Sequence, residues 1–178
     1  EGDEVAEISL YSTEDIGDAG ESVEDLFQAG ASGSTLIDDK VITVLRPVPQ
    51  VVVVGDTPVG DALVELASLV GWRAQAFNDA ASATGVIATL SHLDKVVVTA
   101  HDIDLAGAAL MAALDSEAGY IGALGAHRMQ ENRADWLAYR GVTDLTRIHG
   151  PAGIDIGAET PSEIAISILA EAIGSGVT

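Results

Sequence analysis

Five short groups of residues could hold or transform a ligand: Gly55-Asp56-Thr57-Pro58-Val59-Gly60, Asn78-Asp79, Ala100-His101-Asp102, Gly122 to Arg128, and His149 to Gly157. Each follows a segment that reads as a buried strand, the position from which open α/β sheets bind ligands. The first group resembles the dinucleotide turn G-x-G-x-x-G, with Thr57 in place of the middle glycine. That glycine normally lets a pyrophosphate approach the backbone, so a threonine side chain obstructs it. Asn78 stands where a carboxylate normally grips ribose hydroxyls. It can donate or accept a hydrogen bond there but brings no charge, a part that Asp79 could take over. The helix expected from Pro58 still offers free N–H groups and a positive dipole end, suited to one phosphate.

His101-Asp102 has two readings. In one the carboxylate orients an imidazole for proton transfer. In the other Asp102 or Asp104 caps the following helix and His101 is a partly exposed bystander. Arg128, just inside a helix start after Gly125, could join backbone amides in binding an anion, or could simply be a solvated surface arginine. Arg133 follows it on the same helix. Gly153, Asp155 and Gly157 belong to the last glycine-rich loop and could close over a ligand. No serine lies in a nucleophile-elbow context, the four histidines lack metal-ligand spacing, and there is no cysteine. No catalytic residue and no metal ligand is therefore assigned.

The elements that must carry these loops alternate. Val51 to Val54 is an all-β-branched run expected of a central parallel strand. A helix follows with Val59, Leu63, Leu66, Ala67 and Val70 on one face, ended by Gly71. Trp72 to Phe77 and Val96 to Thr99 read as strands, Leu105 to Leu114 as a helix, Tyr120 to Leu124 as a strand and His127 to Tyr139 as a helix. Asp144 to Ile148 and a glycine-rich loop then lead to the best-marked helix, with Thr160 as N-cap, Pro161 at its first position and Glu163 completing a capping box. This predicts an α/β fold: a Rossmann-like, mostly parallel sheet flanked by helices. Ahead of it, Thr35-Leu36-Ile37, a turn at Asp38-Asp39 and Val41 to Leu45 predict a β-hairpin. Val5 to Leu10 is a short strand candidate, and Ser22 to Phe27 a capped helical turn. The expected organisation is an acidic appendage over residues 1–46 and a Rossmann-like domain over 47–178.

The 178 residues carry 28 acidic side chains against 8 basic ones, a net charge of −20, with Lys40 and Lys95 the only lysines. A field of that sign repels nucleic acid and anionic membranes, so neither is an expected partner. Lysine depletion on top of acidity suggests a surface adapted to a high-salt cytoplasm, where self-repulsion is screened. No long apolar run and no basic-then-apolar start is seen, so a cytoplasmic setting is expected.

Taken together, these motifs resemble the XdhC/CoxI family, whose members are xanthine dehydrogenase accessory proteins. The resemblance spans about Pro47 to Gly174. It is carried by Val51-Val52-Val53-Val54-Gly55 with Val59-Gly60, Leu69-Val70-Gly71-Trp72-Arg73, Val98-Thr99-Ala100-His101-Asp102 and Tyr120-Ile121-Gly122-Ala123-Leu124-Gly125. The most specific block is Gly150-Pro151-Ala152-Gly153-Ile154-Asp155-Ile156-Gly157-Ala158-Glu159-Thr160-Pro161. The resemblance implies a C-terminal Rossmann domain behind a cysteine-bearing domain, of which residues 1–46 would be the tail or a remnant. It further implies binding of molybdopterin cofactor, help with its sulfuration, and delivery to a molybdenum hydroxylase client. The chain departs from the family pattern at Thr57, at Asn78 and at Ala126-His127, where glycine, a carboxylate and serine-arginine are usual. Molybdopterin cofactor or NAD(P) is the expected ligand, and a homodimer stands as an open option. An NAD(P)-dependent oxidoreductase and a ligand-free interaction domain are the competing readings, and whether the chain is an enzyme is open, with a cofactor-binding chaperone preferred.

Overall fold

Val51 to Val54 have almost no accessible surface, as four consecutive β-branched residues can only when a strand is covered on both faces. In the computed structural model, which describes residues 32–37, 40–45 and 47–175, they belong to β3 (Gln50–Val54), the centre of a parallel sheet. The other strands are β4 (Arg73–Phe77), β5 (Lys95–Val98), β6 (Tyr120–Ala123) and β7 (Ile148–His149). They lie in the order β4-β3-β5-β6-β7, and every pair is parallel. The order reverses between β3 and β5, which makes the carboxyl ends of those two strands the switch point of a doubly wound sheet.

Among the described residues, five helices cover the sheet. On one face α1 (Pro58–Leu69) and α5 (Pro161–Gly174) pack on Val51, Val53, Val97 and Tyr120. On the other, α2 (Ala80–Ile87), α3 (Ile103–Asp115) and α4 (His127–Tyr139) pack on Val52, Val54, Val96, Val98 and Ile121. Alternate residues of β3 thus feed opposite cores, as the pleat requires. The α5 face buries Ile168 and Leu169 and half-buries Ile164. Where α3 meets α4, the Trp136 ring lies so close over Gly107 that any side chain there would overlap it.

Caps set where the helices begin. Thr57, Asp79, Asp102 and Thr160 each accept a hydrogen bond from the backbone amide three residues on, and Thr160 and Glu163 complete the expected capping box. Helix α2, in contrast, is absent from the sequence reading. Its Ala-Ala-Ser-Ala-Thr-Gly-Val-Ile sequence buries only Ala83 and Ile87, with Val86 packed partly against the core, too few apolar positions for a periodic signal. Asp144 to Ile148 enters the sheet only at its end: Asp144 Oδ1 captures the Thr146 amide (3.1 Å) and hydroxyl (2.7 Å), a local turn that competes with strand pairing.

The chain divides into two compact units at Pro47/Val48. In the first, β1 (Gly33–Ile37) and β2 (Lys40–Val44) form the antiparallel hairpin, with Ser34 and Thr43 hydroxyls 2.8 Å apart across the strands. The Val5 to Leu10 and Ser22 to Phe27 segments and the Asp38-Asp39 turn lie outside the described residues. Among the described residues no helix is long and apolar enough to cross a membrane.

Candidate functional site

The sheet delivers the candidate loops to one rim. Gly55 to Gly60 leaves β3, Asn78-Asp79 leaves β4, Ala100 to Asp102 leaves β5, Gly125 to Arg128 leaves β6, and the Gly153 to Gly157 loop leaves β7. Gly55 closes the switch point. Its φ is +126°, its amide donates to Phe77 O (2.8 Å), and a Cβ there would lie 2.7 Å from Ala100 Cα. Only glycine lets the β3 turn lie against β5 this closely.

Thr57 is nearly buried, and its hydroxyl accepts from the Gly60 amide at 3.1 Å. The threonine therefore occupies one of the donors that a bound phosphate would use. Pro58, at the first position of α1, has no N–H at all. The amides of Asp56, Thr57 and Val59 have no acceptor among the described residues. Asp56 itself is exposed.

Two carboxylates of the rim, Asp79 and Asp102, are committed to capping. Asp79 Oδ1 accepts from the Ser82 amide at 2.8 Å, and hydrogen bonds from Ser82 hold its carboxyl below the usual range. Asp102 Oδ1 accepts from Leu105 N at 2.8 Å, which is the capping alternative for that residue; His101 is exposed beside it. Asn78 and Arg128 are exposed. His127, next to Arg128, lies 3.4 Å from Glu131 one turn on, both largely in solvent. Asp155 is spent locally, its Oδ1 3.3 Å from the Gly157 amide. Gly153 has φ +105° and is pressed against Ser167 of α5.

Three side chains that sequence reasoning left without a role organise this rim from behind. Arg133 is 2% exposed. Its Nη1 donates to Leu124 O (2.7 Å) and its Nη2 to Ala100 O (2.9 Å), so one guanidinium ties together the residues that follow β5 and β6. Gln130 adds bonds to Ala123 O (2.8 Å) and Gly125 O (3.0 Å). On the opposite face, Glu171 of α5 holds the last loop. It accepts from the Tyr120 hydroxyl (2.6 Å) and the Gly153 amide (2.7 Å), and lies 3.1 Å from His149 Nδ1. Burial alone would raise the Glu171 pKa, but the hydrogen bonds from Tyr120, Gly153 and His149 outweigh it and leave the carboxyl below its usual value. The Tyr120 phenol is driven far up by burial and by the Glu171 carboxylate. A Glu in the last turns of a helix, 51 residues from its tyrosine, gives no local signal of this partnership. Among the described residues no three His, Asp or Glu side chains gather as metal ligands.

Comparison with known proteins agrees with this architecture. In Bacillus halodurans, a chain described as a xanthine dehydrogenase has a solved structure that superposes with a TM-score of 0.59, at 24% identity, over 76% of this chain and 44% of that one. At that identity the likeness is one of fold. An uncharacterized protein of Escherichia coli K12, YqeB, is 40% identical over 60 residues, which is 33% of this chain and 11% of YqeB. The chain thus spans well under two thirds of either relative. Residues 51–172 match the profile of the XdhC Rossmann domain, a stretch that runs from the first buried valine of β3 to the last buried alanine of α5. The chain belongs to the XdhC Rossmann domain family.

Proposed function

We propose that this chain is the Rossmann module of an accessory protein that prepares the molybdenum cofactor for a hydroxylase of the xanthine dehydrogenase type. In this reading it holds a nucleotide or pterin phosphate at the carboxyl ends of β3 and β5. Membership of the XdhC Rossmann domain family carries the proposal. Locally it is supported by the start of α1, where the Asp56, Thr57 and Val59 amides are unclaimed and the helix dipole favours an anion. One phosphate fits this arrangement better than a pyrophosphate, because Thr57 already occupies the Gly60 amide. Arg128 supplies a second anion contact from the start of α4, and the Gly153 to Ala158 loop covers the ligand. Asp56 opposes binding unless its exposed carboxylate stays turned to water.

Calorimetry with molybdopterin cofactor and, separately, NAD(P), in molar KCl, tests the reading. Gly60→Val should abolish binding, since a Cβ at Gly60 already sits 3.2 Å from Val53 Cγ1 and 3.3 Å from Thr57 Oγ1. Arg128→Ala should weaken it by about 1.5–3 kcal/mol, the worth of a charge-assisted hydrogen bond. Preference for NAD(P) over molybdopterin cofactor would replace the proposed ligand, and unchanged binding in both variants would move the site.

A further inference from the structure

Arg133 has more donors than the fold uses. Its three hydrogen bonds go to the Leu124 and Ala100 carbonyls and, at 3.4 Å, to Gln130 Oε1, against five N–H groups on a guanidinium. The Nε–H has no partner. Among the described residues no side-chain nitrogen is both sealed from solvent and unpaired, so this donor opens onto space outside the packed core.

Arg133 also lines a cavity of about 270 Å³ between α3, α4 and the segment from Leu145 to Gly150. Leu110, Ala134, Leu137, Leu145 and Ile148 give it apolar walls, with Arg133 and Gln130 at its polar side. No carboxylate forms an ion pair with Arg133 among the described residues. Glu131, the one acid on the lining, is 62% exposed and sits beside His127 at the rim, where water screens it. A buried cation compensated only by neutral carbonyls lacks a counter-charge, and an anion placed beside it in a partly desolvated cavity gains more than it would in water. The two carbonyl ties fix the guanidinium so that its remaining edge is presented without further loss of side-chain freedom. An apolar cavity of about 150 Å³ accommodates benzene, so the space here takes an aromatic ring together with an anionic substituent.

We propose that this cavity is a second ligand site, distinct from the β3 turn, for a small aromatic anion whose carboxylate or phosphate meets the open edge of Arg133 while its ring lies between Leu110, Leu137 and Ile148. The probes are benzoate and phenyl phosphate, with benzamide as the uncharged control, titrated by calorimetry into the full chain at constant ionic strength. At least one anion should bind, and benzamide should bind at least tenfold more weakly. Ala134→Leu, which fills the cavity and leaves the arginine alone, should cost at least tenfold in affinity. Arg133→Lys, checked for an intact thermal transition, should do the same, because a lysine cannot offer the fork. Arg73→Ala, which removes an exposed arginine on the far edge strand, should change nothing. A preference between the two anions assigns the group as carboxylate or phosphate. Failure of both anions to bind overturns the proposal, as does undiminished binding in Ala134→Leu or equal binding of benzamide.

Discussion

Replacing Glu171 by alanine removes one carboxylate and three interactions, and the cost can be worked from its surroundings. The Tyr120 side chain is 1% exposed, so its hydroxyl loses an acceptor at 2.6 Å with little access to water. An unsatisfied buried donor costs about 1–3 kcal/mol, and the charge-assisted bond from the Gly153 amide is worth about 1.5–3 kcal/mol. The two share one carboxylate, and the loop can relax toward solvent, so they do not simply add. A loss of about 2–4 kcal/mol is expected. Glu171→Gln should cost less, because its amide oxygen can still accept from one of the two donors. Urea unfolding should show the order wild type, Glu171→Gln, Glu171→Ala in midpoint with the slope unchanged. The pH dependence supplies a second check. The folded-state pKa of Glu171 lies below the ordinary 4.5, so its contribution is complete above that value and is lost as pH falls through the folded pKa. The advantage of wild type over Glu171→Gln should be full at neutral pH, decline below about pH 4.5 and vanish only once the pH has passed below the depressed folded-state pKa. A Glu171→Ala variant within about 0.5 kcal/mol of wild type, the range of an ordinary surface change, would refute the reasoning.

Three further outcomes are expected. With a net charge of −20, the thermal midpoint should climb from low salt to molar KCl as self-repulsion is screened; a flat profile in calorimetry would remove the case for salt adaptation. Gly55→Ala should destabilise by at least about 2 kcal/mol, because it combines a left-handed φ of +126° with a Cβ 2.7 Å from Ala100 Cα, and chemical unfolding would reveal a smaller effect if the turn can shift. Asp79→Ala and Asp102→Ala should each lower the unfolding midpoint as lost N-caps, whereas stabilities equal to wild type would show these carboxylates free for another role.

The fold was legible wherever burial imposes a period. Val51 to Val54 could be read as a central strand because both faces of a parallel sheet demand branched apolar residues, and α5 could be read because Thr160, Pro161 and Glu163 combine into a start signal that few other arrangements share. Helix α2 lacked such a signal: it is short, alanine-rich and buries only Ala83 and Ile87. Its one sequence mark is Asp79, and that mark is ambiguous. A carboxylate after a strand is equally what a ribose site would require, and only the Ser82 amide at 2.8 Å identifies it as a cap. Asp102 shows the same ambiguity and the same outcome.

The rim residues could be placed from sequence because a parallel sheet sends all its strand-to-helix loops to one end. The side chains that brace the rim could not, since their partners are fixed by tertiary structure alone. Arg133 bonds to carbonyls 9 and 33 residues away, and Glu171 to groups 18, 22 and 51 residues away. Neither interaction has a helical or strand period. What does distinguish both residues is their departure from the pattern of their own helices. Arg133 occupies an inward position of α4, four residues before Leu137, and Glu171 lies in the last turns of α5 beside buried Ala172. A charge on the apolar stripe of an amphipathic helix must find a buried partner or cost several kcal/mol. In a chain with so few cations, one arginine on such a stripe marks the place where the fold needs fixed positive charge. That need is met at the carboxyl ends of β5 and β6, the same end of the sheet at which the candidate loops converge.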